Sequence, residues 1–338
     1  MKRILLIIFC MIFVISCKKS ENINKVEIQL PEAQSLKLER KIVNVNLYRP
    51  WGIFIHQHKM IVYDKMKDSL FKVFDAQDLT YRYTFGSIGA GPDEFTFVSG
   101  TAMNSSDYFE VLDQHELCYY AVNDSAAIQV SSPKTVVHKS GPVNNLTKIS
   151  DSIYLFENNT YSEKLEKEFI LYNINDRTDR EFGNVILFNE DMKNQPYEVQ
   201  SQLLSKSITA NTKSSKFAVF YNLYPYFKIF SSETLTGIYH VDEAIQHEEN
   251  CVYFAGLCST DKYIYTFWIA MSEEKIVENM ENFKPNILVF DWGGNIVKNY
   301  KCNVPIVRFA VNDSNDKLYA VSANEDDINA IYVCNLDI

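Results

Sequence analysis

The chain has 338 residues, a formal net charge of −10 and an aromatic content of 14%, with 21 Tyr and 22 Phe. This acidic balance, without a basic block, argues against nucleic acid as a partner and against electrostatic binding to anionic lipid. The length accommodates one large domain or two ordinary ones, and the aromatic richness is typical of β-sheets.

The first sixteen residues have the features of an export signal. Lys2 and Arg3 give a basic start, and residues 4–15 form an apolar run with almost no polar residue. That run is too short to cross a bilayer as a helix, which takes roughly 20 residues. The stretch that ends in Ser16 and Cys17 resembles the lipobox of bacterial lipoproteins, in which cleavage leaves a cysteine at the new amino terminus.

The lipobox resemblance implies a lipid anchor on Cys17. In that class the thiol receives a diacylglycerol and the new amine a further acyl chain such as palmitate, and two or more chains hold a protein stably on a membrane. We therefore predict a signal peptide over residues 1–16 and a lipidated tether over residues 17–35, with no other membrane contact. Lys18 and Lys19 lack the aspartate associated with inner-membrane retention, which favours the outer membrane of the cell envelope. The alternative is an ordinary signal peptide, with Cys17 a bystander.

A loose repeat of apolar strands and polar turns fills the rest of the chain. Short apolar runs bounded by Asn, Asp, Gly or Ser are strand and turn signals. They fall at residues 53–55, 60–63, 70–74 and 79–85; 109–112 and 118–122; 153–156, 169–174 and 179–182; 217–221, 227–230 and 237–241; 263–269, 287–290 and 296–300; and 307–311, 318–321 and 328–334. Six units of about 40 to 60 residues predict an all-β fold, a six-bladed β-propeller of four-stranded antiparallel blades over residues 36–338. A β-sandwich or a pair of β domains would show similar strands.

Two further features belong to the predicted architecture. The sixth unit stops after its third strand, so we expect residues 41–47, near the amino end, to supply the outer strand that closes the ring and covers its edge. Helical periodicity is confined to residues 190–204 and 272–282, which we predict to be short helical insertions between strands.

A glycine-rich segment connects the first two units. Residues 85–95, FGSIGAGPDEF, resemble the G-x-x-G-x-G-P-x-E-F segment of six-bladed, TolB-like or NHL-like propeller lipoproteins of Gram-negative bacteria. Residues 49–53 and 70–75 also look like that family's first blade. The resemblance implies a propeller fold and an envelope location, but no reaction. Within the segment the glycines permit positive φ. Phe95 is expected to pack between blades, and Glu94 either to accept backbone N–H groups or to point into the channel mouth.

Patterns that would bind a metal ion are weak in this sequence. His56 and His58 lie two residues apart on a predicted strand, hence on one face, and are the best pair of candidate ligands. No third ligand is evident, and a solvent-facing pair beside a turn explains them better. Aspartates end three of the predicted strands just before turns, at Asp64, Asp75 and Asp291. Side chains that accept nearby backbone N–H groups in these turns explain them, and a calcium site is the alternative. We predict no metal and no cofactor.

Aromatic residues provide the candidate contact surface. Tyr224 and Tyr226 lie in the aromatic run 221–227, and Trp292 lies in a turn, where exposure is expected. Exposed rings are rigid anchors for protein or sugar partners, although the same residues are consistent with inter-blade core. We take Tyr224, Tyr226, Trp292 and Glu94 as the candidate binding surface.

Cysteine usage points to buried thiols. Five cysteines follow the anchor, and an odd count without C-x-x-C spacing fits neither a zinc site nor a disulfide framework. One bridge between Cys302 and Cys334 is the alternative in an oxidising compartment. The five are Cys118, Cys251, Cys258, Cys302 and Cys334.

No catalytic signature is present: the sequence has no G-x-S-x-G, H-E-x-x-H or EF-hand spacing. The leading hypothesis is therefore a membrane-anchored, non-catalytic binding or scaffolding module for a protein or glycan partner. The alternative is a glycan-active hydrolase or lyase with carboxylates in the channel, since such hydrolysis needs two carboxylates at a fixed separation. The side chains that line the channel mouth decide between them.

Overall fold

Short strands and tight turns make up nearly all of the regular structure. The computed structural model describes residues 25–66, 68–91, 94–102, 107–138, 143, 146–158, 166–188, 190–242, 251–279, 281–322 and 324–338. The predicted signal peptide and Cys17 lie outside these residues, so the anchor stays a prediction.

The strands group into six sheets, or blades, that follow one another along the chain. Three strands precede the first blade: β1 (Lys25–Gln29), β2 (Gln34–Leu36) and β3 (Glu39–Ile42). Blade 1 contains β4 (Pro50–His56), β5 (Lys59–Met66), β6 (Ser69–Asp75) and β7 (Tyr81–Phe85). The connection to blade 2 contains β8 (Ser87–Ile88) and β9 (Glu94–Phe95), and blade 2 contains β10 (Val98–Ala102), β11 (Phe109–Asp113), β12 (Glu116–Val122), β13 (Ala127–Gln129) and β14 (Lys134–Thr135).

The remaining four blades complete the ring. Blade 3 contains β15 (Thr147–Lys148), β16 (Ile153–Glu157), β17 (Lys167–Asn173) and β18 (Thr178–Asn184). Blade 4 contains β19 (Lys206–Asn211), β20 (Lys216–Tyr221), β21 (Tyr226–Ser231) and β22 (Thr234–Asp242). Blade 5 contains β23 (Cys251–Ser259), β24 (Tyr263–Ser272), β25 (Asn286–Asp291) and β26 (Ile296–Cys302), and blade 6 contains β27 (Ile306–Val311), β28 (Lys317–Ser322) and β29 (Ala330–Asn335). The six-bladed, all-β prediction is confirmed.

The hydrophobic core is divided among the six interfaces between neighbouring blades. Six buried apolar clusters occur, one at each interface. Successive side chains of a strand point to opposite faces, so Met60 and Val62 of β5 pack towards blade 6 while Ile61 and Tyr63 pack towards blade 2. Because both faces of a middle strand are covered, such strands read as continuous apolar runs, as the sequence showed.

The amino-terminal segment runs along the outer edges of three blades. The strand β3 pairs antiparallel with β29 and completes blade 6, which confirms the predicted ring closure, with the strand at residues 39–42 rather than 41–47. Unexpectedly, β1 adds to β22 of blade 4 and β2 adds to β26 of blade 5, each as a parallel fifth strand. The segment predicted as tether up to residue 35 therefore belongs to the propeller from Lys25 onward.

Helices are confined to insertions. They are Glu190–Lys193 and Tyr197–Leu203 between blades 3 and 4, and Glu273–Asn279 within blade 5, together with the 3-10 turn Glu325–Asp327 in blade 6. Both predicted helical insertions are confirmed. No helix in the described part of the chain is long and apolar enough to span a membrane.

Candidate functional site

The innermost strand of each blade lines a central channel. These strands are β4, β10, β15, β19, β23 and β27, and each runs from one face of the ring to the other. We call the face where they begin the upper face and the face where they end the lower face. The connections between consecutive blades also lie on the upper face. Each end of the channel opens into a mouth, and the two mouths differ in chemistry.

The upper mouth is the larger of the two, with a volume of about 480 Å³ against about 200 Å³ for the lower mouth. Small-molecule sites usually measure roughly 300–1,000 Å³, so of the two mouths the upper one is in this range. Lys206 and Arg308 are its charged lining residues, and no acidic residue is found among its described lining. The remaining lining is mixed, with polar Ser99, Thr147, Ser207 and Asn222 beside apolar Phe54, Leu146 and Phe309.

Arg308 is fixed in the upper mouth by backbone carbonyls. Its Nε donates to the Trp51 carbonyl at 2.7 Å, and its Nη1 donates to the Val307 carbonyl at 2.7 Å. No ion pair to a carboxylate is formed within the described residues. Burial lowers the pKa of Arg308, because a desolvated guanidinium without a counter-charge is less stable in its charged form.

Lys206 differs from Arg308 because a carboxylate accompanies it. Its Nζ lies 3.7 Å from Glu157 and donates to the Leu204 carbonyl at 3.0 Å. Burial raises the pKa of Glu157, while the positive charge of Lys206 acts in the opposite direction. The charge of Lys206 is thus partly compensated within the protein, and that of Arg308 is not.

Exposed aromatic rings lie beside the upper mouth near blade 1. Trp51 lines the mouth itself, and Tyr48 lines the adjoining groove between blades 1 and 6, which Trp51 also lines. Trp51 is 58% exposed, and Phe97 and Tyr48 are 53% and 55% exposed. The Nζ of Lys65 lies 5.0 Å from the centre of the Trp51 ring and the guanidinium carbon of Arg308 lies 5.5 Å from it, both within cation–π range. Sequence reasoning did not single out this group, which we call the Trp51 patch (Tyr48, Trp51, Lys65, Phe97 and Arg308).

The lower mouth carries both signs of charge. Lys213 forms an ion pair with Asp261, and Asp313 lies in the same mouth. Partial burial raises the pKa of Asp313, the negative charge of Asp261 raises it further, and Lys213 opposes this shift. His56 also lines this mouth; it is 6% exposed, and its Nε2 has no hydrogen-bond partner among the described residues.

The metal-pair alternative for His56 and His58 is wrong, and the preferred solvent-facing interpretation holds for His58 but not for the buried His56. The strand β4 ends at His56, and His58 lies in the following turn rather than on the same strand face. His58 is exposed, 3.8 Å from Asp124, whereas burial lowers the pKa of His56. Within the described ranges, no group of three His, Cys, Asp or Glu side chains is placed to hold a metal ion.

Glu94 has the backbone-binding role that was one of its two predicted alternatives. Its carboxylate accepts the Gly91 N–H at 2.7 Å and the Ser87 hydroxyl at 3.4 Å. A Cβ on Gly89 would lie 2.0 Å from the same carboxylate, so that glycine is needed for close approach rather than for positive φ. Phe95 packs between blades 1 and 2 as predicted, with its ring 5.8 Å from that of Phe71 and 6.0 Å from that of Tyr120.

Gly86 is the glycine of this segment that requires a left-handed backbone. Its φ is +75°, and a Cβ there would lie 2.5 Å from the Phe95 ring. We expect Gly86→Ala to lower the free energy of unfolding by about 1–3 kcal/mol, through backbone strain and displacement of Phe95. Urea unfolding measures this loss. The control is Gly293→Ala, in an exposed turn without positive φ, and equal losses for the two variants would contradict the interpretation.

Tyr224 and Tyr226 form a half-buried stack beside blade 4. The ring of Phe188 lies 5.0 Å from that of Tyr224 and 4.6 Å from that of Tyr226, and His240 stacks on Tyr226 at 4.4 Å. The same His240 bonds to Glu27 of β1 at 2.5 Å. Tyr226 thus helps hold the amino-terminal strand. Both rings are partly buried against the core between blades 3 and 4, and their role as a contact surface stays a prediction.

Trp292 was predicted to be exposed, and that prediction is wrong. It is 7% exposed, and its indole N–H donates to the Thr260 carbonyl at 3.0 Å. The turn around it is capped by Asp291, which accepts the N–H groups of Gly293 and Asn295 at 2.8 and 2.9 Å. The ring fills the interface between blades 4 and 5 because the turn folds inward over it.

The capping interpretation is confirmed for Asp75 and Asp291 but not for Asp64. Asp75 accepts the Gln77 N–H at 2.9 Å. Asp64 is fully buried and instead accepts the backbone N–H groups of Tyr48 and Arg49, together with the ammonium group of Lys72. It therefore fixes the segment that leads into blade 1, which includes Tyr48 of the Trp51 patch.

The five cysteines of the folded body are buried, and no disulfide joins any of the described residues. The suggested Cys302–Cys334 bridge is not formed, although both belong to the cluster between blades 5 and 6. Burial raises the pKa of each of these two thiols to about 12, which keeps them protonated and unreactive.

Comparisons with known proteins match this architecture. A DUF4221 family member from Bacteroides vulgatus has a TM-score of 0.63 at 12% identity, covering 90% of this chain and 98% of that one. A candidate exported protein of Bacteroides fragilis has a TM-score of 0.58 at 11% identity, covering 93% and 100%. A gluconolactonase from Xanthomonas campestris has a TM-score of 0.51 at 9% identity, covering 89% and 90%. At these identities the likeness concerns the fold alone.

No curated protein matches the sequence. The family described as TolB-like 6-blade propeller-like matches residues 27–314, which is most of the chain and includes strands of all six blades. The sequence match and the observed ring of blades agree, and the chain belongs to this TolB-like six-bladed propeller family.

Proposed function

We propose that the protein is an exported, lipid-anchored propeller whose upper mouth is a non-catalytic binding module for a protein or glycan partner. The observation that carries this proposal is the chemistry of that mouth: the exposed ring of Trp51 and an uncompensated Arg308, with no acid among its described lining. Hydrolysis of a glycosidic bond needs a pair of carboxylates. Their absence from this described lining supports binding over catalysis.

The course of the amino-terminal strands supports an anchor that leaves the upper mouth accessible. Lys25 begins β1 eight residues after Cys17, a distance of at most about 28 Å in an extended chain. Because β1 runs parallel to β22, which ends at the upper face, the amino end of β1 points towards the lower face. A lipid on Cys17 would then place the lower face nearer the membrane. An outer-membrane position is part of the proposal, and the likeness to a candidate exported protein supports export.

Replacing Cys17 with Ala is expected to move the protein from the membrane to the soluble envelope fraction, because the acyl chains are its proposed membrane contact. Fractionation with labelled palmitate measures both location and acylation. Ser20→Ala serves as the control in the same segment. Recovery of the Cys17→Ala protein in the membrane fraction would contradict the proposed anchor.

Binding at the upper mouth is tested with Trp51→Ala. We expect this change to reduce retention of the partner at least about 10-fold in a pull-down of the acylated protein from native membranes, followed by glycan and peptide screens. The ring is exposed, and its cation–π contacts with Lys65 and Arg308 are each worth about 0.5–1 kcal/mol at an exposed site, so the melting temperature should change little. Ile128→Ala, an exposed apolar change on the outer strand of blade 2, is the control. Unchanged retention in Trp51→Ala would contradict the proposed site.

A glycan-active enzyme is the second candidate, and the lower mouth is the observation that favours it. Asp261 and Asp313 lie close enough for one carboxylate to raise the pKa of the other, a pattern that can separate an acid from a base. Two results together would favour this enzyme over the binding proposal. The protein would turn over a polysaccharide and lose that activity in Asp313→Asn, and no partner would be retained at the upper mouth.

A further inference from the structure

We propose that the upper mouth recognises an acidic sugar, with a uronic acid carboxylate on Arg308 and the sugar ring beside Trp51. This rests on the proposed binding function and assigns the class of ligand. The two proposals fail differently, since a neutral glycan or a peptide bound in the same mouth would leave the binding function intact.

The guanidinium of Arg308 is fixed in place but not saturated. A guanidinium has five N–H donors, and two of the nitrogens of Arg308 are committed, one to the Trp51 carbonyl and one to the Val307 carbonyl. Both acceptors are backbone atoms of strands at the channel wall, so the planar group is held without being neutralised. The remaining donors are left for a planar acceptor, and a carboxylate matches such a fork in two parallel hydrogen bonds.

The charge distribution favours an anion at this point. The chain as a whole has a net charge of −10, yet the two charged residues that line the upper mouth are cations. The Lys206 ammonium lies 3.7 Å from the Glu157 carboxylate, whereas Arg308 has no acidic partner among the described residues. An unpaired, partly desolvated charge is costly. A ligand carboxylate would supply the missing counter-charge and be bound for that reason.

The rest of the mouth is suited to a sugar rather than to a bare anion. Ser207 and Asn222 place a hydroxyl and an amide group in the wall. The Ser207 hydroxyl donates to the Asn222 side-chain oxygen at 3.2 Å, and both oxygens keep acceptor capacity for the hydroxyl groups of a sugar. Trp51 provides a large amphipathic ring at the rim, and Lys65 adds a second positive charge on that ring. A simple anion would use Arg308 but would gain nothing from the hydroxyl groups or from the indole.

The test measures binding of two acidic probes, trigalacturonate and a mannuronate trimer, and of neutral galactotriose to the full acylated chain in detergent. Trp268 and Trp292 are buried, so a change in tryptophan fluorescence reports chiefly on Trp51. We expect at least one acidic trimer to bind at least 10-fold more tightly than galactotriose. Its affinity should fall as salt rises from 50 to 500 mM, because an exposed ionic contact is screened.

Variants locate the contact. Arg308→Gln should weaken binding of the acidic trimer at least 10-fold and leave galactotriose unaffected, whereas Trp51→Ala should weaken both. Lys41→Gln, which removes one charge from the exposed outer edge of blade 6, should change neither. If Arg308→Gln does not fold, the inference is tested by Trp51→Ala, which should fold because Trp51 is exposed, and by the salt dependence of binding to the unmodified protein.

Four results would overturn the inference. Three of them concern the sugar probes: failure of both acidic trimers to bind, equal affinity for acidic and neutral trimers, and acidic binding that survives in folded Arg308→Gln. Tighter binding of a peptide with a free carboxyl terminus, dependent on the same Arg308, would overturn the assignment to sugars in favour of a protein partner.

Discussion

Replacing Glu168 with Ala is expected to lower the free energy of unfolding by about 3–5 kcal/mol, the cost of leaving a buried charge without its partner. Glu168 of blade 3 accepts the Lys228 ammonium at 2.6 Å and the Tyr221 hydroxyl at 2.6 Å, both from blade 4. The side chains of the ion pair are 0% and 1% exposed. Burial lowers the pKa of Lys228 and Glu168 opposes that shift, so removing the carboxylate leaves an ammonium group that water does not reach.

Urea unfolding of three further variants separates this explanation from a general loss of packing. Glu233→Ala breaks an exposed pair with Arg180 and should cost less than about 1 kcal/mol. Tyr221→Phe should cost about 1–2 kcal/mol, since it removes one buried hydrogen bond. A double change of Glu168 and Lys228 to Met should recover most of the loss, because replacement of a buried pair by apolar groups is often neutral. A double variant as unstable as Glu168→Ala would contradict the charge-based account.

Buried polar bridges between blades recur in this fold. Between blades 2 and 3, Glu110 accepts the Lys148 ammonium at 2.7 Å and the Tyr154 hydroxyl at 3.0 Å. This is the same acid, lysine and tyrosine combination as at the interface of blades 3 and 4. Hydrophobic packing between blades is non-directional, whereas these bonds require one alignment. We infer that they fix the register of neighbouring blades, which keeps the inner strands, and thus both mouths, in place.

The sequence predicts the strands in the middle of the blades much better than those at the channel. The middle strands β5, β6, β20 and β28 are buried on both faces and read as apolar runs. The inner strands of blades 2 to 5 were missed. In blades 2 to 4 one side of the strand faces the channel and tolerates small or polar residues, whereas β23 of blade 5 was missed although it is largely apolar. The sequence VSGTA of β10 and the two residues of β15 illustrate this, since neither has an apolar run.

The same property explains why the candidate site was not predicted. Arg308 and Lys206 lie on inner strands, where a cation in the sequence looks like any solvent-facing residue. One backbone acceptor of Arg308, the Trp51 carbonyl, is 257 residues away along the chain, so the sequence does not reveal this contact. The other belongs to the preceding residue, Val307. Trp292 was misassigned for a related reason, since a tryptophan in a Gly-Gly turn looks exposed until the turn folds over it. The Gly86 to Phe95 segment was predictable because the hydrogen bonds of Glu94 are local and its glycines are recognisable in the sequence.

The loss of the amino-terminal strands is expected to have the largest effect on assembly. A chain that begins at residue 46 lacks β1, β2 and β3, and leaves β29 as an open edge. Leu36 and Leu38, 4% exposed in the cluster between blades 5 and 6, would also be lost. Each buried leucine contributes about 2–5 kcal/mol, and an exposed strand edge templates association with other chains. We therefore expect this chain to aggregate rather than form a monomer.

Graded truncation shows which strand matters. A chain that begins at residue 25 retains all three strands and should unfold like the mature protein. A chain that begins at residue 38 retains β3 and should stay monomeric. Its melting temperature should be lower, because it lacks β1 and β2 with their buried side chains Ile28 and Leu36. Size-exclusion chromatography and thermal unfolding measure both effects. If the chain from residue 46 were monomeric and as stable as the chain from residue 25, closure by β3 would not hold the ring together. The six inter-blade clusters would then have to do so unaided.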